Sequence, residues 1–177
     1  MIYDSKTVED AALQQCINLV CAAARTAPKT RGVDRIVTLV LTGEDKDKFA
    51  ASLREMGENG GTASMIRDAG NIENAGALVL IGVKNTPSGL GAPCHMCGFA
   101  DCSACTAAGG VCAFCSMDLG IAAGSAAETA ATMKVDNRIM FSAGRGAMNI
   151  GLLGDNIAAA LGIPLSISGK SPFFDRK

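Results

Sequence analysis

Six of the eight cysteines in this 177-residue chain fall between Cys94 and Cys115, and no other feature limits its possible folds as strongly. Their order is Cys94-His-Met-Cys97-Gly-Phe-Ala-Asp-Cys102-Ser-Ala-Cys105, then Cys112-Ala-Phe-Cys115. In a small secreted domain such density means disulfides. In a chain long enough to bury its own core, thiols that stay reduced and cluster usually bind metal. The stretch around them, from Asn85 to Cys115, has almost no periodicity and carries Gly91, Pro93, Gly98, Gly109 and Gly110. A loop of that length inside a compact domain is usually functional or disordered, and closely spaced cysteines favour function.

The rest of the chain supplies the scaffold. Val8, Ala12, Cys16, Ile17, Val20, Cys21 and Ala24 recur at helical spacing, so the pattern predicts a helix over Thr7–Arg25, begun near Thr7–Asp10 and closed by Pro28. Ile36–Thr42 and Ala77–Val83 read as buried strands. Asp45–Met56 reads as a helix with a charged face, and Met65–Asn74 as a shorter one. An alanine-rich helix is expected over Met117–Met133, with Ser116 and Asp118 at its positive end. Beyond it the pattern predicts a third strand, Arg138–Ser142, short helices near Ala147–Leu152 and Asn156–Leu161, and a last strand, Pro164–Ser168. The expectation is one α+β (α/β-like) domain over residues 1–177: about four strands flanked by helices, with the cysteine-rich loop, residues 85–116, inserted between the second strand and the long helix.

Composition sets limits on function. The formal charge is −1 and no basic run or aromatic-interleaved patch is present, so a nucleic-acid partner is not expected. Mean hydropathy is positive, yet the longest apolar stretches, near Ile17–Ala24 and Ala75–Val83, fall well short of the roughly 18 residues of a membrane-spanning helix. The first residues lack a basic segment followed by an apolar one, so neither a leader peptide nor a membrane location is expected, and the cytoplasm is.

A four-thiolate cluster needs sulfurs converging on a small volume, with backbone N–H groups free to donate to them. Cys94, Cys97, Cys102 and Cys112, spaced C-x2-C-x4-C-x9-C, meet that need and leave Cys105 and Cys115 over. Cys94, Cys97, Cys112 and Cys115 form C-x2-C-x14-C-x2-C, close to a zinc ribbon, and leave Cys102 and Cys105 over. Spacing leaves iron–sulfur and zinc both open.

Several segments carry a resemblance. Cys94-x-x-Cys97-Gly-Phe-x-x-Cys102, then Cys112-Ala-Phe, then Asp118-Leu-Gly-Ile-Ala-Ala-Gly-Ser125 resemble the ferredoxin-domain-containing proteins of anaerobic bacteria and archaea. The likeness continues through Ala23–Lys29, Gly32–Asp34, Val135–Met140, Ile163–Lys170 and Phe173–Arg176. It implies a [4Fe–4S] cluster held by Cys94, Cys97, Cys102 and Cys112, with Cys105 and Cys115 outside the family pattern. The cysteine-glycine-phenylalanine segment is also similar to the small cluster domain of corrinoid iron–sulfur proteins. The order of elements resembles that of nitroreductases. That likeness implies a mixed sheet and a homodimer with FMN at the subunit interface, for whose phosphate Lys29, Arg31, Lys170 and Arg176 are candidates. The arginine-rich start of the first helix, where nitroreductases hold that phosphate, is missing here.

Three functions follow as expectations. The first is one-electron transfer through a [4Fe–4S] centre to a redox protein or small molecule. The second is an FMN-dependent oxidoreductase fed by the cluster. The third is a structural module stapled by zinc. Other features read more plainly: Cys16 and Cys21 as small buried hydrophobes, His95 as a packing or hydrogen-bonding neighbour of the cluster. Gly144–Gly151 lacks the lysine of a phosphate-binding loop, so no nucleotide is expected there.

Overall fold

The computed structural model describes residues 1–174. Helix α1 (Ser5–Thr26) leads through a 3-10 turn at Thr30–Gly32 into strand β1 (Ile36–Thr42). Helices α2 (Gly43–Asn59) and α3 (Ala63–Glu73) follow, then β2 (Ala77–Lys84). After a long loop come α4 (Cys102–Ala107), α5 (Ala113–Thr132), β3 (Asp136–Asn137), α6 (Phe141–Asn149) and β4 (Ile157–Ser166). The strands form one sheet in the order β1-β2-β4-β3. Every pairing described is antiparallel, so the expected mixed sheet is corrected to an antiparallel one.

Burial explains the arrangement. Strand β2 is closed on both faces, which is why it reads as an unbroken apolar run. Its alternation divides the core: Ala77, Val79, Ile81 and Val83 pack with α1 and α5, while Leu78 and Leu80 pack with α2, α3 and α6. Cys16 lies wholly buried in the first of these layers and Cys21 packs against it, as small apolar side chains do. The first helix is capped earlier than its sequence suggests, because the Asp4 carboxylate accepts from Thr7 N at 2.8 Å. On α2, Lys46 departs from the solvated face: its buried Nζ donates to the Ile72 and Glu73 carbonyls at the end of α3.

Residues 138–168 depart most from expectation. Arg138–Ser142 is not a strand. Only Met140 touches the sheet, through a bridge to Gly162, and α6 has begun by Phe141. No helix forms at Asn156–Leu161, whose residues from Ile157 onward belong to β4. The alanines of Ala158–Ala160 favour a helix locally, but pairing with β2 across the sheet overrides that preference. Pro164 is tolerated because Gly162 turns both its backbone groups toward Met140. Two residues on, the missing proline N–H faces that same edge and not β2.

The glycines of Gly144–Gly151 also find their use here. A Cβ on Gly144 would stand 1.9 Å from the Ala160 carbonyl oxygen, so α6 lies backbone-to-backbone on β4. A Cβ on Gly146 would likewise meet Leu53 at 2.9 Å, so these two glycines serve packing. No helix among the described residues is long and apolar enough to cross a membrane.

Candidate metal centre

The loop leaves β2 at Lys84 and returns at the start of α5, and it is tied down from below. Arg31 Nη1 donates to the carbonyls of Ser88 (3.0 Å) and Gly89 (3.2 Å). Arg35 Nη2 reaches the Pro87 carbonyl at 3.5 Å. Asn85 N donates to the Asn156 carbonyl at 2.8 Å, which fastens the loop's first residue to the end of the sheet.

Three segments then present thiols. Cys94 N donates to the Gly91 carbonyl (3.3 Å) and Gly98 N to the His95 carbonyl (3.0 Å), so Cys94 and Cys97 sit on successive turns. The second of these uses the left-handed conformation of Gly98 (φ +78). His95 Nδ1 lies 3.3 Å from the Phe99 carbonyl, a local contact that closes the turn. Cys102 opens α4, whose start is fixed by the Asp101 carboxylate accepting from Ala104 N at 2.8 Å. Cys112 occupies the capping position of α5, whose first residue, Ala113, lies four residues nearer the N-terminus than the expected Met117.

Cys94, Cys97, Cys102 and Cys112 all line one cavity, together with Ser88, Leu90, His95, Phe99 and Phe114. The four thiols named as ligands in the sequence are thus brought to a common space. Among the described residues, no three potential ligands lie close enough together to hold a metal ion. The residues that line the cavity are sulfur-rich, the chemistry a thiolate-bound metal requires, and N–H groups surround the sulfur of Cys112.

The two thiols that do not line the cavity differ from Cys112 and from each other. Burial pushes the Cys112 thiol up, but the Ser88 hydroxyl and N–H and the N–H groups of Phe114 and Cys115 together hold it below its ordinary value. Ser88 Oγ lies 3.5 Å from Cys112 Sγ. Donors at a helix start favour the thiolate form of such a sulfur. Cys115, one turn on, is pushed up, chiefly by burial. Its Sγ donates to the carbonyls of Lys84 (3.5 Å) and Thr86 (3.4 Å). Cys105, only 1% exposed, is also pushed up, by burial first and then by the Cys97 thiol beside it.

One constellation had no clear signal in the sequence. Asp118, expected merely to offset the helix dipole, is buried in the second turn of α5. Its Oδ1 accepts from Thr30 N and Thr30 Oγ1, each at 2.9 Å, and its Oδ2 faces buried Arg35 Nη1 at 3.6 Å. An acidic residue on an otherwise apolar helix face was the sole hint.

The phosphate candidates are not gathered into one cradle. Lys29 Nζ donates to the carbonyls of Ala24, Arg25 and Ala27, closing the end of α1. Arg31 is committed to the loop as described. Lys170 is exposed beyond β4, which leaves the sheet at the end opposite the one where Lys29 and Arg31 precede β1. Arg176 lies outside the described residues.

The fold is that of the nitroreductases. A nitroreductase family protein from Clostridium novyi NT superposes with a TM-score of 0.61 at 14% identity, over 97% of this chain and 78% of that one. A putative NADH dehydrogenase/NAD(P)H nitroreductase from Bacteroides thetaiotaomicron gives 0.57 at 15%, over 89% and 75%. A nitroreductase with bound FMN from Desulfitobacterium hafniense gives 0.56 at 13%, over 88% and 78%. Residues 108–176 match the family described as uncharacterized protein containing a ferredoxin domain. An uncharacterized protein of Archaeoglobus fulgidus is 38% identical over 184 residues, covering 99% of this chain and 98% of its own. The chain belongs to this ferredoxin-domain family.

Proposed function

We infer that this protein carries a [4Fe–4S] cluster on Cys94, Cys97, Cys102 and Cys112 and works as a cytoplasmic electron-transfer protein. The observation that carries this reading is the single cavity lined by those four thiols. When bound, such a cluster supplies reversible one-electron transfer, at a potential set by N–H···S bonds and burial. The chain's own part is to hold and shield it. Phe99 and Phe114 wall the cavity, Ser88 and the first N–H groups of α5 offset the charge on Cys112, and Arg31 fixes Ser88 from below. Leu90, Met96 and Val111 are exposed on the same loop and offer an apolar rim to a redox protein partner.

The test is anaerobic purification with iron, sulfide and zinc analysis and a visible spectrum. The expected protein is brown, with iron and sulfide in equal amounts and absorption that bleaches on reduction. A colourless protein with one zinc per chain would sink this reading and establish the zinc staple.

The nitroreductase fold favours a second reading, a homodimer that also binds FMN and passes electrons between flavin and cluster. Supporting it is an exposed apolar stripe on α5, Met117 and Ile121, with Phe141 beside it and Gly120 and Gly124 permitting close approach. With Lys29 and Arg31 engaged by carbonyls, Lys170 is left among the described cations first considered for the phosphate. Yellow supernatant after acid release would establish the flavin; its absence from protein purified with cluster intact would remove it.

A further inference from the structure

We propose that the hollow between α5, α6 and β4 binds a small aromatic carboxylate, whose charge is met by Arg145. The inference goes beyond both readings above and stands without either, since no thiol and none of the phosphate candidates lines this hollow.

Strand β4 lays one wall. Ala158, Ala159 and Ala160 line a cavity of about 300 Å³, a volume at the lower end of those that hold small ligands. A paired strand favours branched or aromatic side chains, so three consecutive alanines forgo the local preference. Close packing accounts for Ala160, which lies against Gly144. It does not account for Ala158 and Ala159, which stay half-buried beside empty space. Departures from local preference without a packing gain are expected where a protein binds something.

The facing helix repeats the pattern. Gly120 of α5 lines the cavity, and a Cβ added to it would meet nothing within 4 Å. Its missing side chain relieves no contact within the chain; it leaves room. Leu119 and Met148 make the lining apolar, and Phe141, 71% exposed, offers a ring face on which a flat ligand can stack.

Charge selects the occupant. Arg145 is the one charged residue of the lining, with no carboxylate among its companions. It is exposed on α6 and makes no hydrogen bond or ion pair with any described residue. Arg25, Arg54 and Arg67, which also reach solvent, each pair with a carboxylate. A guanidinium fork matches a carboxylate through two parallel N–H donors. An acid with an aromatic body satisfies both halves of the site: the carboxylate meets Arg145 and the ring enters the apolar hollow.

The test titrates the full purified chain with 2-naphthoate, and with neutral 2-naphthamide of the same ring system, by isothermal titration calorimetry near neutral pH. Wild type, R145A and G120L are compared, with far-UV circular dichroism matched across them. Wild type is expected to bind one 2-naphthoate per chain, more tightly than the amide and more weakly as salt rises. R145A should weaken the carboxylate about tenfold and leave the amide unchanged. G120L, which fills the hollow from a helical position where leucine is favoured over glycine, should lose both. A wild type that binds no 2-naphthoate, an R145A protein that binds it as wild type does, or a G120L protein that still binds it overturns the proposal. So does a flavin that purifies with wild type and is missing from G120L, which would give the hollow to the flavin. Iron and sulfide analysis decides the cluster separately, so failure of one reading leaves the other standing.

Discussion

Cys112 and Cys115 lie one turn apart at the start of α5, and the groups around them differ in kind. Donors surround the first and carbonyls the second. In the metal-free protein, Cys112 should therefore alkylate with iodoacetamide at a pH below that needed for an ordinary thiol, and Cys115 only above it. Replacing Ser88 with Ala removes a donor to the Cys112 sulfur, so the pH midpoint for Cys112 should move upward; mass spectrometry of the labelled peptide across a pH series would show it. An unmoved midpoint would mean that the backbone N–H groups of residue 88 and of the helix start set the thiol without the Ser88 hydroxyl. The buried pair makes a second prediction at this scale. Asp118→Ala leaves the Arg35 guanidinium buried without its countercharge, so unfolding free energy should fall by about 3–5 kcal/mol, read from urea denaturation of the metal-free protein. The cysteine loop was legible in the sequence because clustering is a local signal, while the choice of Cys94, Cys97, Cys102 and Cys112 among its thiols came from the family resemblance and not from spacing. Ser88, Arg35 and Asp118 were not, since their meaning depends on Arg31 and Thr30 arriving from a segment dozens of residues away.

Among the elements, α1, β1, α3 and β2 follow their apolar periodicity closely, while the region after α5 does not. The reason lies in α6 and β4. Both are rich in glycine and alanine, so propensity favours the wrong state, and the deciding force is the close contact of one backbone with the other. That contact is testable. Gly144→Ala would drive a methyl into the Ala160 carbonyl, where backbone can hardly yield. The variant should lose about 3 kcal/mol or more, the upper end of the usual cost of overpacking. Gly70→Ala, on α3 with nothing within 4 Å of its added Cβ, should instead gain about 1 kcal/mol by helix propensity. Parallel urea titrations of the two variants separate packing from chain entropy; equal and opposite shifts from those expected would remove the account of β4 given above.

At the scale of the whole molecule, the exposed stripe on α5 is the surface most in need of a cover. Ile121→Glu places a charge in its middle, so the dimer inferred above should dissociate. Sedimentation velocity would detect a fall from two chains to one, and an unchanged mass would move the interface elsewhere. The α+β architecture with about four strands flanked by helices was readable from the order of elements. The direction of every strand was not, because short aperiodic connections do not say whether the chain crosses over or doubles back.

Cys112 is both the capping residue of α5 and a wall of the cavity, so the first turn of that helix is also part of the cavity wall. Were iron to bind there and a second chain to pack along the middle of α5, any coupling between the two events would be reciprocal. Self-association measured with and without metal would then differ by the same factor as metal affinity measured in the single and the paired chain, and equal self-association in both states would show that the helix transmits nothing between its start and its middle.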